Sequence, residues 1–370
     1  MRVSESFEAL AAELEALFTR GVDEPLSDEA FGELALRVFV HQVEASPTYA
    51  AFCAARGVSP QHVVHWREVP PVPASGFKHV KLLAAPGAEA VFTTSGTTKG
   101  SATRGRHFVP RLSLYRASLL PPFRRWVLPE GKAFPLLSLI PSPSDTPESS
   151  LSYMVGTVSR QLASETRWLA DGSGLANPED FSKAVAEAIE DGDPLLIVGT
   201  AFGLVHLLDR MRDTSSRMHL PEGTRIMETG GFKGRSREAS RASLRRAMEE
   251  RLGVQPGFVV SEYGMTELLS QLYEPILSEG VTAAGLYLPP PWLRVRAVDP
   301  MTLEDVGMGH EGLLCFHDLA NLGSVSVVLT EDVGTVDIDG VRLRGRAAGS
   351  EPRGCSLAVE DLLSARDRAG

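Results

Sequence analysis

Between residues 195 and 267 the chain alternates short apolar runs with helix-length segments, and this alternation limits the folds open to it. Leu195 to Val198 reads as a strand, Ala201 to Met211 as an apolar helix, and Thr224 to Glu228 as the next strand, which runs into Thr229-Gly230-Gly231. Ser236 to Leu252 reads as a charged helix closed by Gly253, a residue that accepts the left-handed conformation of a helix C-terminus. Phe258 to Val260 is a further strand. Strands separated by helices pair in parallel, with the helices on the faces of the sheet. In such sheets ligands bind beyond the carboxyl ends of the strands. Thr229-Gly230-Gly231 and Tyr263-Gly264-Met265-Thr266-Glu267 both fall there.

The flanks read differently. Phe7, Leu10, Ala11, Leu14, Leu17 and Phe18 recur at helical spacing, and Ser27 stands where it can cap a second helix carrying Phe31, Leu34, Ala35, Val38 and Phe39. Val69-Pro70-Pro71-Val72-Pro73 is extended, since proline removes helix donors and constrains its neighbour. A short β segment, Ala90 to Thr93, precedes a Gly/Ser/Thr loop, and Pro141 to Ser150 is a Pro/Ser-rich loop at a binding surface. Asn177-Pro178-Glu179-Asp180 is a helix start, with a cap, a proline in the first turn and acids at the positive end. After residue 281 the texture becomes β: Trp292 to Val298, Gly312 to Phe316, Val325 to Thr330, Val333 to Ile338 and Val341 to Arg344, with a short helix from Val359 to Arg368.

Composition narrows the function classes. With 370 residues and 43% hydrophobic content, the chain can bury one large core or two domains. A net charge of −10 argues against wrapping nucleic acid, and no apolar run is long enough to span a bilayer. The acidic, amphipathic N-terminus is unlike a signal peptide. Cys53, Cys315 and Cys355 are too scattered for a disulfide framework or a zinc site, so a cytoplasmic, reducing location is expected.

Chemistry is concentrated in two places. Thr94-Ser95-Gly96-Thr97-Thr98-Lys99-Gly100 is rich in hydroxyls and small residues, which let backbone N–H groups approach an anion. It is not the Walker phosphate loop, whose spacing differs. Tyr263-Gly264-Met265-Thr266-Glu267 adds a threonine and a carboxylate able to hold Mg²⁺ on that phosphate. Either alone reads as a turn or a surface carboxylate; together they indicate ATP chemistry. His206, on the apolar helix, reads first as a core histidine and second as a residue facing an acyl pocket.

From about residue 70 onward these motifs resemble the adenylate-forming superfamily of acyl-CoA synthetases, luciferases and peptide-synthetase adenylation domains. The resemblance implies that Thr94, Ser95, Gly96, Thr97, Thr98 and Lys99 cradle phosphate, and that Gly230-Gly231 borders adenine. It implies that Tyr263 stacks on adenine beside Gly264, Thr266 contacts the α-phosphate, Glu267 binds Mg²⁺ and Asp332 binds the ribose. Gly345-Arg346 resembles the opening of the hinge to a small C-terminal domain. Two departures stand out: Thr98 runs directly into Lys99 without the Gly-x-Pro of the family form, and the chain ends soon after Arg346. The usual lid domain of about a hundred residues, with its catalytic lysine, has no counterpart.

A narrower resemblance is to the LuxE-type acyl-protein synthetases, related to phenylacetate-CoA ligases. It rests on Pro73 to Lys78, ending in Phe77-Lys78, on Ser149-Ser150-Leu151, Thr229-Gly230-Gly231-Phe232-Lys233, Tyr263 to Leu268 with Ser270-Gln271-Leu272-Tyr273, and Arg353-Gly354-Cys355-Ser356-Leu357. The implied fold is α/β, an adenylate-forming large domain over 1–345 with its lid domain largely absent. It comprises a helical segment 1–68, an α/β core 69–280 and a β-rich subdomain 281–345, followed by a hinge and cysteine-bearing tail, 346–370. The implied reaction activates a carboxylic, typically fatty, acid with ATP and Mg²⁺ as acyl-AMP. The acyl group then passes to Cys355 and on to a partner such as a reductase or carrier. Independently of the family, Cys355 is flanked by Gly354 and Ser356 and lies near Arg346 and Arg353, and cationic neighbours favour the thiolate. An acyl- or aryl-CoA ligase, an acyltransferase using a preformed donor, and a non-catalytic regulatory subunit that binds a reductase remain as other readings of the same motifs.

Overall fold

The computed structural model describes residues 6–94, 104–213, 218–230, 241–347 and 353–369. Three helices open the chain: α1 (Phe7–Thr19), α2 (Asp28–Ala45) and α3 (Pro47–Ala55). The first two are capped by Ser6 and Ser27, whose hydroxyls accept from backbone amides of the first turn. Then come β1 (Val72–Pro73), the hairpin β2 (Ala90–Thr93) and β3 (Arg106–Val109), α4 (Leu112–Val127), β4 (Phe134–Leu139), α5 (Ser150–Leu162) and β5 (Ala163–Trp168). The alternating region follows as α6 (Pro178–Asp191), β6 (Leu196–Thr200), α7 (Ala201–Asp213), β7 (Arg225–Thr229), α8 (Arg241–Leu252) and β8 (Val259–Tyr263). The chain continues through β9 (Leu272–Tyr273), the short α9 (Ile276–Glu279), β10 (Leu293–Val298), β11 (Glu311–Asp318), β12 (Val327–Asp337), β13 (Gly340–Arg346) and α10 (Arg353–Ala369).

The expected parallel sheet is present and larger than the sequence indicated. Its order is β5-β4-β6-β7-β8-β9, parallel from β5 to β8, with β9 antiparallel at the edge. Leu196, Ile197, Val198, Ile226, Met227, Val259 and Val260 are buried, as strands covered on both faces require. The register sets Thr200 beside Thr229, and Thr229 beside Glu262, so the strand ends that the sequence marked lie level.

A second sheet runs β1-β12-β11-β10, with β13 also on β12. It is antiparallel except at β1, where Val72 and Pro73 pair in parallel with Val328 and Leu329. The two segments read as separate strands around Glu331-Asp332 are one strand, β12. The polar pair does not break it, because register shifts against β11 and β13 absorb the irregularity and Asp332 still pairs with Arg346. Tyr263 is the last residue of β8 rather than a residue beyond it, since Pro256–Phe258 forms a 3₁₀ turn and the strand starts later.

Between residues 112 and 162 the sequence reading assigned only the Pro141 to Ser150 loop. Helix α4 there carries Pro121 and Pro122 in its interior, which forfeits two backbone hydrogen bonds. It persists because Tyr115, Leu119, Phe123 and Val127 repeat every fourth residue into the core against α1. Among the described residues no helix is long and apolar enough to cross a membrane.

Helix α10 is longer than the expected Val359 to Arg368 and lies against α3, β1 and the 3₁₀ turn Ala74–Lys78. Ala358, Leu362 and Ala365, one turn apart on one face, are fully buried. Arg56 pairs with Asp361 at 3.1 Å, and Arg366 reaches the His79 carbonyl at 3.5 Å. Gly76 makes room for this seat: a Cβ there would stand 2.6 Å from Leu362 Cδ2. Truncating Leu362→Ala should cost about 2–5 kcal/mol through lost burial and an unfilled cavity. Hydrogen exchange should show the loss first in α10 and the Ala74–Lys78 turn, and unchanged protection there would contradict this packing.

Candidate active site

The site forms where three strands end. Thr229, at the end of β7, donates its hydroxyl to the carboxylate of Glu262 on β8. Glu262 is only 3% exposed. Burial pushes its carboxyl up to about 7, with the Thr229 hydrogen bond opposing the shift and the nearby Glu228 adding to it. The same carboxylate lies over the next residue but one: a Cβ at Gly264 would meet Glu262 Oε1 at 2.4 Å. The glycine of the Tyr-Gly-Met-Thr-Glu run therefore fits a close approach that a larger residue would disturb. Behind Glu262 lies a polar cluster. Glu228 accepts from Ser261 and from Arg241 Nε at 3.2 Å, and Glu274 accepts from Arg245 and, at 3.1 Å, from the Ser261 amide. Burial raises the Glu228 carboxyl despite the facing Arg241.

The segment that follows Tyr263 is held by its backbone from several directions. His107 Nδ1, on β3, lies 2.7 Å from the Thr266 carbonyl. Asn321 Nδ2 donates to the Glu267 carbonyl at 2.8 Å. Asp318 Oδ2 accepts from the amides of Leu269 and Ser270 at 2.9 and 3.0 Å, and its Oδ1 accepts from the Ser270 hydroxyl at 2.6 Å. Asp318 is 0% exposed, and burial lifts its carboxyl to about 6 against the pull of these donors. Asn321 is in turn anchored to α2, since Gln42 Nε2 donates to its carbonyl at 2.9 Å.

The neck of the hydroxyl-rich loop is closed by a reciprocal pair. The Thr94 amide donates to the Gly105 carbonyl and the Gly105 amide to Thr94 Oγ1, both at 2.9 Å. Arg104 Nε also donates to the Thr94 carbonyl at 2.6 Å. Ser95, Gly96, Thr97, Thr98 and Lys99 lie outside the described residues, as does Gly231. The neck residue Thr94 and the turn residue Thr266 are thus brought to one place through the β2–β3 hairpin.

Tyr263, Asp332 and Arg346, predicted separately, form one cluster. The Tyr263 hydroxyl donates to Asp332 Oδ2 at 2.7 Å, and Arg346 Nε donates to Asp332 Oδ1 at 3.3 Å. One face of the Tyr263 ring stacks on Phe316, with centroids 5.5 Å apart and 15° between planes. Burial, and then Asp332, raise the Tyr263 phenol well above its ordinary range, so it stays a donor. Gly230 takes a left-handed φ of 74° at the end of β7, with open space where a Cβ would be. Cys355 lies in the first turn of α10, and its side chain is outside the described residues. His206 is half-buried on α7 with Phe202 at 6.4 Å, and its Nδ1 is buried without a hydrogen-bond partner among the described residues.

No group of three or more His, Cys, Asp or Glu able to hold an ion occurs among the described residues. Glu267, 8% exposed beside Thr266, offers a single carboxylate. That fits Mg²⁺, which keeps water and takes phosphate oxygens rather than an all-protein cage. His107, Glu262, Asp318 and Asn321 escaped the sequence reading, although Asp318 and Asn321 interrupt the apolar run from Leu313 to Leu322. Polar residues inside such a run need buried partners, which is a usable signal.

The sequence model of the family described as acyl-protein synthetase, LuxE, matches residues 23–364. The long-chain-fatty-acid–luciferin-component ligase of Aliivibrio fischeri is 23% identical over 354 residues, 90% of this chain and 88% of that protein. The protein of the same name from Vibrio harveyi is 22% identical over 382 residues, 98% of this chain and 97% of its own. Among solved structures, an open conformation of 2-hydroxyisobutyryl-CoA ligase with 2-HIB-AMP and CoA superposes with a TM-score of 0.65 at 17% identity, covering 88% of this chain and 76% of that one. ATP-bound MatB from Rhodopseudomonas palustris gives 0.52 at 17% identity over 71% of this chain and 48% of its own, so the chain spans about half the length of MatB. The fold is that of the adenylate-forming enzymes.

The elevated Glu262 carboxyl makes a signed prediction. A raised folded-state value means that the folded protein holds a proton the unfolded chain has released, so this residue's contribution to stability falls as pH rises from about 4.5 to about 7. Glu262→Gln keeps the Thr229 acceptor and cannot ionise. The variant should gain on wild type across that window by roughly 3 kcal/mol at most, read from denaturant midpoints between pH 5 and 8. A constant difference over that range would contradict the assignment.

Proposed function

The chain belongs to the LuxE acyl-protein synthetase family, ligases of the adenylate-forming fold, and on that premise we propose that it activates a long-chain or other carboxylic acid with ATP and passes the acyl group to its own Cys355. The observation that carries this reading is the joining of the loop neck at Thr94, through the β2–β3 hairpin, to the Thr266-Glu267 turn that directly follows Tyr263 and its Asp332–Arg346 cluster.

In this proposal adenine stacks on the face of Tyr263 opposite Phe316, beside Gly230 and Gly231. Asp332 and Arg346 meet the ribose, and Thr94 to Lys99 hold the phosphates. Tyr263, held by Asp332, presents a fixed plane, which lowers the entropy cost of binding. The substrate carboxylate attacks the α-phosphorus of ATP; the new bond joins a carboxylate oxygen to the α-phosphorus, and pyrophosphate leaves with the electron pair of the broken P–O bond. Thr266 and the loop amides donate to the oxygens on which charge accumulates. Mg²⁺ on Glu267 would supply positive charge to the phosphates. The Cys355 thiolate then attacks the acyl carbon, AMP leaves, and a thioester remains for transfer to an acyl-accepting protein such as a reductase or carrier. The first turn of a helix, where Cys355 lies, favours a thiolate over a thiol.

Pyrophosphate exchange into ATP should depend on an added fatty acid and should survive Cys355→Ser, which acts only in the second step. Radiolabelled acid with ATP should leave hydroxylamine-sensitive label on denatured wild type and none on Cys355→Ser. Equal labelling of both proteins would remove Cys355 from the reaction, and absence of exchange with every acid tried would remove adenylation.

A further inference from the structure

We propose that His107 is a positioning residue that fixes the Thr266-Glu267 turn against the neck of the hydroxyl-rich loop. The inference rests on the reading of these two segments as the nucleotide site. His107 lies on β3 opposite Phe92, two residues from Gly105, so its main chain belongs to the hairpin that carries the loop. Its ring reaches across to the other segment, with Nδ1 2.7 Å from the Thr266 carbonyl, 159 residues further along the chain.

The chemistry of this contact is fixed. A carbonyl only accepts, so Nδ1 carries the proton. Burial drives the imidazole down to about 4, so the ring is neutral at ordinary pH and Nε2 is a bare acceptor. That Nε2 is buried and has no hydrogen-bond partner among the described residues. The ring is 1% exposed. Its polar anchorage among the described residues is therefore the single bond to Thr266, and the edge-to-face contact with Phe77, at 5.5 Å and 85°, fixes the remaining rotation. Leaving one ring nitrogen unsatisfied costs free energy, and an apolar residue of similar size would avoid that cost. The residue makes sense through what its other nitrogen holds.

The turn has two further clamps, Asp318 at the end of β11 on the Leu269 and Ser270 amides and Asn321 just after that strand on the Glu267 carbonyl. His107 supplies the hold from the opposite side, where the loop neck stands. Without it the Thr266 carbonyl loses its donor, and the turn keeps its links to the second sheet while losing this side-chain link to the hairpin.

The test uses the whole chain and three variants. His107→Asn places an amide donor near the position of Nδ1 and should retain the bond, whereas His107→Gln places it near Nε2 and His107→Leu removes it. Hydrogen exchange of the apo protein should be faster over residues 264–270 in the Leu and Gln variants and unchanged in the Asn variant. Calorimetric binding of Mg-ATP should weaken about tenfold in Leu and Gln, the loss expected for one buried hydrogen bond, with Asn restoring wild-type affinity. Equal weakening in all three variants, or unchanged exchange in Leu and Gln, would overturn the proposal. If Leu does not fold, the contrast between Asn and Gln decides in the same way. Should wild type bind no ATP, the nucleotide reading fails, and the exchange contrast alone still decides whether His107 holds the turn.

Discussion

A fully buried aspartate holds the candidate site in shape. Asp318 accepts three hydrogen bonds from the turn after Glu267, and a fourth, from the Ala320 amide, fixes its own position. A buried carboxylate without such donors would be costly, and with them it becomes a rigid node. Ser270 extends the node to Ser118 at 2.9 Å, and Ser118 accepts from Trp292 Nε1 at 2.9 Å, which brings α4 and the entry to β10 into the same network. The parallel sheet delivers Tyr263 and the β-rich sheet delivers Asp318 and Asp332. The turn between Gly264 and Ser270 is therefore where the two sheets are fastened.

That fastening explains why the site is composed of residues so distant in sequence. The β2–β3 hairpin and the end of β11 reach the turn after β8 through side chains that bond to main-chain groups, whereas β8 and β12 meet side chain to side chain at Tyr263 and Asp332. Backbone atoms are a good target for this purpose, because their positions follow from the fold and not from rotamer choice. The polar cluster under Glu262 does similar work for the strand ends. Arg241 and Arg245 from α8 neutralise Glu228 and Glu274 and leave Glu262 with a hydroxyl as its partner.

The alternation of strands and helices between residues 195 and 263 was legible because each strand is buried on both faces and reads as a continuous apolar run. The caps at Ser27 and Asn177 were legible because their signals are local. Helix α4 was not, since Pro121 and Pro122 argue against a helix and only tertiary packing overrides them. Strand β12 reads from sequence as two segments because the polar Glu331-Asp332 separates two apolar runs, whereas pairing on both sides keeps the strand whole. Of the site, Tyr263, Asp332 and Arg346 were named for separate tasks, and their direct contact could not be read from a one-dimensional pattern. His107, Asn321 and Asp318 act on backbone carbonyls and amides, which leave no residue signature at the other end of the bond.

The seat of α10 carries a kinetic consequence. Ala358, Leu362 and Ala365 are fully buried, and Leu362 lies over a glycine that leaves no slack. Any excursion of the segment bearing Cys355 that lifts the whole helix must expose this face to water, and such openings are local unfolding events with their own free energy. A reaction that needed the full excursion would have its turnover limited by how often the helix lets go, and the first turn alone could move at far lower cost. Side-chain volume beneath Leu362 then acts as a timer, adjustable methyl by methyl without touching any group that meets the substrate.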